Sequence, residues 1–221
     1  IDEAAVMYSY LSFYSTPVIN ISQVVFSALE VSLLPMITRA FTQRNPNLKH
    51  QVDLGILLSV SLGMPMGVGI WAFAEQILLF LYPSKAEIAI DAAPVLGIMG
   101  LSIVLFSVFL ATTSILQGID KYRKPVLHLG IGAIAKVISA YILIAIPSLN
   151  IVGAAYSTLI AYFVAAALNV SVVYKSFKPS SEFIRKILMT IVANVVMVVL
   201  SKGAYGIIEP HLGMRLSLMF A

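Results

Sequence analysis

The 221 residues are 60% hydrophobic and only 11% charged, with a mean hydropathy of +0.97, so soluble globular classes are excluded and the chain belongs in lipid. A net charge of +4 and a pI near 9.3 would point to nucleic acid in a soluble protein, but nearly all Lys and Arg sit in joints between apolar runs, where membrane orientation accounts for them without nucleic acid. With no Cys, disulfide frameworks, thiolate metal sites and Cys nucleophiles are excluded as well.

The apolar runs predict helices over about 10–38, 54–82, 90–116, 126–146, 151–174 and 184–202, with a further one starting at 212–221. A helix needs about 20 residues to cross a hydrocarbon core of ~30 Å, and each of the six reaches that length alone or with its flanks. The expected fold class is therefore all-α: a polytopic transmembrane helical bundle of six full spans plus the start of a seventh, forming a single lobe over 1–221.

Orientation follows from the joints. Arg39, Arg44 and Lys49 occupy the first, Lys121, Arg123 and Lys124 the third, and Lys175, Lys178, Arg185 and Lys186 the fifth. Against these stand only Lys85 in the second, none in the fourth, and Lys202 and Arg215 in the sixth. The positive-inside bias assigns the odd joints to the cytoplasm and the N-terminal end to the outside, so the first helix runs inward. A chain that starts outside, at Ile1, with no signal peptide reads as a piece of something larger, its other half carrying earlier spans and part of any site.

In the first helix Thr16, Asn20, Gln23, Ser27 and Glu30 follow at spacings of 4, 3, 4 and 3, which stacks them on one side. Unsatisfied polar groups cannot face hydrocarbon, so the stripe meets either a neighbouring helix or a water-filled cavity. Pro17 and Pro35 bracket it and can bend or end the helix. The second helix carries Gly55, Ser59, Gly63 and Gly67 at i+4 spacing, and the fifth Gly153, Ser157, Ala161 and Ala165; such lines of small residues are packing faces. Pro65 lets the second helix bend.

The fourth helix holds Lys136 midway between Pro125 and Pro147, about 15 Å from either end and beyond the reach of snorkelling. A mid-membrane ammonium costs at least ~2.5 kcal/mol unless it is paired or wet. His128, Gly132, Lys136 and Ser139 fall on one side of this helix and describe a cavity wall. Lys136 is read either as a structural partner of a carboxylate such as Glu30 or as a ligand for an anionic group such as phosphate. Asn169 and Asn194 read as interhelical hydrogen-bonders, and Glu75 as an interfacial residue. His50 and His211 carry no metal spacing. No phosphate loop, nucleophile elbow or HExxH is present, so neither catalysis nor a cofactor is expected.

Several stretches in order carry a resemblance: Leu34-Pro35-Met36-Ile37 with Arg39-Ala40, Gly63-Met64-Pro65-Met66-Gly67-Val68-Gly69, Leu116-Gln117-Gly118-Ile119-Asp120-Lys121 with Pro125, Lys136 ahead of Tyr141 and Pro147, and Gly153-Ala154-Ala155-Tyr156-Ser157-Thr158 with Asn169. Together they resemble the C-terminal half of multidrug/oligosaccharidyl-lipid/polysaccharide exporters, in the branch of stage V sporulation protein B and the lipid II flippases of Gram-positive bacteria. The resemblance implies fourteen helices in two lobes around a central cavity, this chain supplying the eighth to thirteenth and the start of the fourteenth. It also implies that the first helix here runs inward, as the joint charges already indicate. That branch often places an Arg in the cavity on the eighth helix; no Arg precedes Arg39 here, so Lys136 is the candidate cation.

Three functions follow as expectations. The first is a flippase lobe in the bacterial plasma membrane that moves an undecaprenyl-pyrophosphate-linked glycan, such as lipid II or a lipid-linked oligosaccharide, by alternating access in cell-wall or surface-polysaccharide assembly. Lys136 would contact pyrophosphate, and Asn20, Gln23, Ser27 and Glu30, with His128 and Ser139, would line the substrate path. The second is a cation-coupled multidrug exporter, with Glu30 holding the coupling ion or a cationic drug. The third is a non-transporting scaffold of an envelope-building complex. The expected partners are the glycan-lipid, the N-terminal lobe, membrane lipids and a coupling ion.

Overall fold

The computed structural model describes the backbone of residues 2–212 and the side chains of residues 5–207. Every regular element among these residues is a helix: α1 (Asp2–Ser9), a π-helical turn (Tyr10–Ser15), α2 (Thr16–Thr42), α3 (Leu48–Ala72), α4 (Ala74–Leu81), a short 3₁₀ turn (Pro83–Lys85), α5 (Ala86–Gly118), α6 (Arg123–Ile144), α7 (Asn150–Ser176) and α8 (Ser181–Leu212). Six stretches are long and apolar enough to cross a membrane: Ala5–Thr42, Leu48–Ala72, Pro83–Gly118, Arg123–Ile144, Asn150–Ser176 and Ser181–Ile207. The chain is an all-α polytopic membrane bundle. The expected seventh helix at 212–221 lies, beyond Leu212, outside the described residues.

The first span changes its winding at Pro17, for a local reason. An α-helical residue 17 would donate its N–H to the carbonyl of Phe13, but Pro has no N–H and its ring crowds that carbonyl. The turn Tyr10–Ser15 widens to the π form, and Tyr82 from a distant turn donates its hydroxyl to the freed Phe13 carbonyl at 3.2 Å. Tyr14 stacks edge-on against Tyr82 at 4.7 Å, and Tyr10 donates to Asp91 Oδ2 at 3.3 Å. Within the turn, Ser15 and Thr16 donate to the carbonyls of Tyr10 and Leu11, both at 2.7 Å. Pro35, Pro65 and Pro94 stay inside continuous helices. The second apolar run divides instead at Phe73 (φ −120°, ψ 23°), between α3 and α4.

α5 is the centre of the bundle: 67% of its apolar window is buried, against 6% in α6 and α8. It packs against α2, α3, α4 and α7, while α6 leans chiefly on α7 and α8 on α3. The small-residue lines make these approaches possible. A methyl at Gly67 would lie 2.7 Å from the Gly100 carbonyl oxygen on α5, and one at Gly132 on α6 would lie 2.8 Å from the Ala161 carbonyl oxygen on α7. Without bulk between them the backbones sit in contact, and dispersion replaces the hydrophobic drive that lipid does not supply.

The joints sort themselves by end. Lys121 donates to Ser176 Oγ at 2.8 Å, tying the third joint to the close of α7. His50 and Asp53 in the first turns of α3 share a cavity with Ser180 and Lys186 at the start of α8. All three basic joints therefore lie at one end. At the other end Trp71 carries Lys202 over its ring at 5.7 Å, and Phe73 meets Tyr205 at 5.8 Å. α3 and α8 thus run side by side in the same direction. The turns that close the two basic helix ends use left-handed residues, Arg44 (φ 49°) and Asp120 (φ 63°), whose following N–H groups reach back to Ala40 and Leu116.

Candidate translocation surface

The polar stripe lies on a face of α2 that the bundle leaves open. Asn20 and Ser27 are exposed, and Thr16, Gln23 and Glu30 are half-buried at its edge. The hydroxyls are satisfied at home: Thr16 donates to Leu11, and Ser27 donates to the Gln23 carbonyl at 3.0 Å. Ser114 of α5 donates to the Glu30 backbone carbonyl at 3.3 Å, leaving the carboxylate itself free. Among the described residues, the Asn20 and Gln23 amides and the Glu30 carboxylate have no hydrogen-bond or ion-pair partner. Such groups are stable only against water or polar protein, so this face is not a lipid face.

Lys136 is exposed at the middle of α6, with Ala133 and Ala140 three residues before and four after it. Small neighbours leave room around the ammonium. The bulky Ile134, Val137, Ile138 and Tyr141 are exposed on other parts of the same helix, as a lipid-facing surface requires. The single ion pair among the described residues is Lys186–Glu182 at 2.9 Å, so Lys136 and Glu30 do not neutralise each other within this lobe. Ser139 donates back to the carbonyls of Ala135 (2.7 Å) and Lys136 (3.2 Å).

His128 departs from the expectation that it shares a wall with Lys136. It is 9% exposed and turned into the junction of α5, α6 and α7. Eight residues along an α-helix come about 80° past two full turns, and that rotation carries His128 away from the Lys136 face. Its Nδ1 lies 2.7 Å from Asn169 Oδ1, while Asn169 Nδ2 donates to Thr113 Oγ1 at 3.0 Å and towards the Phe109 carbonyl at 3.5 Å. With the amide nitrogen engaged by two acceptors, Oδ1 faces the imidazole, so Nδ1 carries the proton and donates. This buried polar junction was foreshadowed by Asn169 alone. Gly132, one turn on, packs against Ala161 and Ala165.

Asn194 donates to Thr190 within α8 at 2.8 Å, and its buried Oδ1 has no partner among the described residues. Polar-lined cavities elsewhere lie at the basic end, one along the end of α2 beside Arg39, Gln43 and Gln51, and one between α3 and α8. No cluster of three or more His, Cys, Asp or Glu side chains with metal-ligand geometry occurs among the described residues.

No solved structure matches the chain. Over 133 residues it is 29% identical to the lipid II flippase MurJ of Bacillus subtilis (strain 168), a stretch covering 60% of this chain and 24% of that protein, so the chain matches about a quarter of that relative's length. Residues 13–142, spanning the polar stripe, α5 and Lys136, match the MatE family. With more than half the chain matched, it belongs to the MatE family, within the multidrug/oligosaccharidyl-lipid/polysaccharide exporter superfamily of transporters.

Proposed function

We infer that this chain supplies one lobe of a flippase for an undecaprenyl-pyrophosphate-linked glycan, working by alternating access in the bacterial plasma membrane. The observation that carries the reading is Lys136: an ammonium with no ion-pair partner among the described residues, exposed in mid-span and flanked by small residues. A second lobe facing α2 and α6 would turn their uncovered polar faces into the walls of a wet cavity, where a fixed cation suits pyrophosphate and free amides suit sugar hydroxyls. Asn20, Gln23 and Ser27 are the candidate headgroup contacts, and Ser139 borders the Lys136 face. His128 supports that wall through α6 rather than touching substrate. The similarity to a protein named as a lipid II flippase favours a lipid-linked glycan over a drug.

The free carboxylate of Glu30 favours a second role within the same machine, holding a coupling cation. A purely cationic drug as substrate fits less well, because Lys136 would repel it.

Lys136→Met in the full-length protein tests the reading. It keeps the apolar stem and removes a charge that costs about 2.5 kcal/mol at mid-membrane, so the variant should insert at least as well as the parent. Translocation of glycan-lipid, read as accessibility of the precursor on the outer face of the membrane, should nevertheless be lost. Lys136→Arg should keep part of it, since charge is retained while geometry changes. Normal translocation by the Met variant at matched abundance would make Lys136 structural.

A further inference from the structure

The basic end of the bundle holds an amphipathic cavity that the translocation surface does not use. Between the first turns of α3 and the start of α8 lies a cavity of about 110 Å³ lined by His50, Asp53, Ser180, Glu182 and Lys186. Against it, between α3, α7 and α8, lies a second of about 100 Å³ whose walls are apolar: Val52, Ile56, Val170, Tyr174, Phe177 and Phe183. Asp53 and Phe183 line both, so a charged vestibule opens beside an apolar slot.

Charge in the vestibule is of both signs. Glu182 is paired with Lys186 at 2.9 Å, and Arg185 and His50 also act on it electrostatically. Asp53 feels Lys49, His50 and Lys186, yet has no ion-pair partner among the described residues. A wholly anionic ligand would face the two carboxylates, and a wholly cationic one the four bases. A ligand carrying one charge of each sign meets neither penalty.

We propose that this cavity is a binding site for a phosphatidylethanolamine-type lipid, with the first methylenes of one acyl chain in the slot, its ammonium on Asp53 and its phosphate towards His50 and Lys186. The site lies where the spans leave the hydrocarbon, at the end the charge bias assigns to the cytoplasm, which is the depth of lipid headgroups. An apolar slot there has acyl chain as its neighbour, and a run of methylenes fills it without leaving a polar group unpaired. A primary ammonium donates hydrogen bonds to a carboxylate; a quaternary choline does not. Bound lipid would wedge α3, α7 and α8 at their shared end, independently of what the translocation surface carries.

The test is lipid retention by the purified full-length protein in native mass spectrometry, titrated with dioleoyl phosphatidylethanolamine, phosphatidylglycerol and phosphatidylcholine. One phosphatidylethanolamine should survive activation that strips the other two. Asp53→Asn should lower its retention severalfold and erase its advantage over phosphatidylglycerol. Val170→Trp, filling the slot from its rim, should abolish specific retention of all three. A photo-crosslinking amino acid at Phe177, in an otherwise unchanged chain, should capture phosphatidylethanolamine in the native membrane, and this arm decides if a variant fails to fold. Equal retention of the three lipids, retention undiminished by Asp53→Asn or Val170→Trp, or a Phe177 probe that captures no lipid would overturn the proposal.

Discussion

Asn169 is the residue on which three helices depend. It is fully buried, gives both amide hydrogens to α5 and takes one from His128 on α6. Asn169→Leu removes all of these at once and strands the imidazole N–H and the Thr113 hydroxyl in an apolar junction. Interhelical hydrogen bonds in membranes average well under their nominal strength, so we expect a loss of about 1–2 kcal/mol, read as a lowered apparent melting temperature in detergent. The double variant His128→Leu with Asn169→Leu should recover part of that loss, because no lone donor then remains; a strictly additive double variant would show that the two side chains do not interact. The spacing along α6 makes Lys136 legible from the sequence as a mid-span charge, but it cannot assign His128. Whether two residues eight apart share an environment depends on which neighbours flank each side of the helix, and those neighbours come from residues 41 and 15 positions away. The five-residue stripe on α2 was legible because its neighbours are all its own.

At the scale of the element, Pro17 announces a disturbance in the first span, but not its form. A Pro can kink a helix, end it or widen it, and the choice falls on whatever receives the freed carbonyl. Here that is Tyr82, 69 residues on, and the span continues as a π turn. The two features should therefore be coupled. In the parent background Tyr82→Phe removes the only hydroxyl bonded to the Phe13 carbonyl among the described residues and should cost about 1 kcal/mol. In a Pro17→Ala background the new N–H can take that carbonyl within an α-helical turn, so the same Tyr82→Phe change should cost close to nothing. Equal costs in the two backgrounds, measured as shifts in apparent melting temperature, would show that Pro17 and Tyr82 act separately. The division at Phe73 was not legible, since the only charge between Leu54 and Tyr82, Glu75, reads equally well as an interfacial residue of one continuous helix, and the break sits where Phe73 meets Tyr205 of α8.

For the whole molecule, two independent observations agree. Lys and Arg counts alone place the first, third and fifth joints together, and the fold brings the same joints to one end through Lys121–Ser176 and the cavity shared by α3 and α8. The count needs no structure, because it rests on the cost of carrying fixed positive charge across a membrane. The packing needs no count, because it rests on small-residue lines and on the burial of most of α5. The count also assigns that shared end to the cytoplasm, and labelling from one side tests the assignment. In full-length protein freed of other cysteines, a single Cys at Asn47 or at Ser180 should be shielded from an impermeant thiol reagent in intact cells and react once the membrane is opened. A Cys at Ser84, in the exposed 3₁₀ turn at the opposite end, should react in intact cells. Because Asn47 and Ser180 lie at one end of a single packed bundle, they must give the same answer. Opposite labelling of those two positions would break the fold itself, whereas labelling of both with protection of Ser84 would leave the fold standing, invert its orientation and place the proposed lipid site in the outer leaflet.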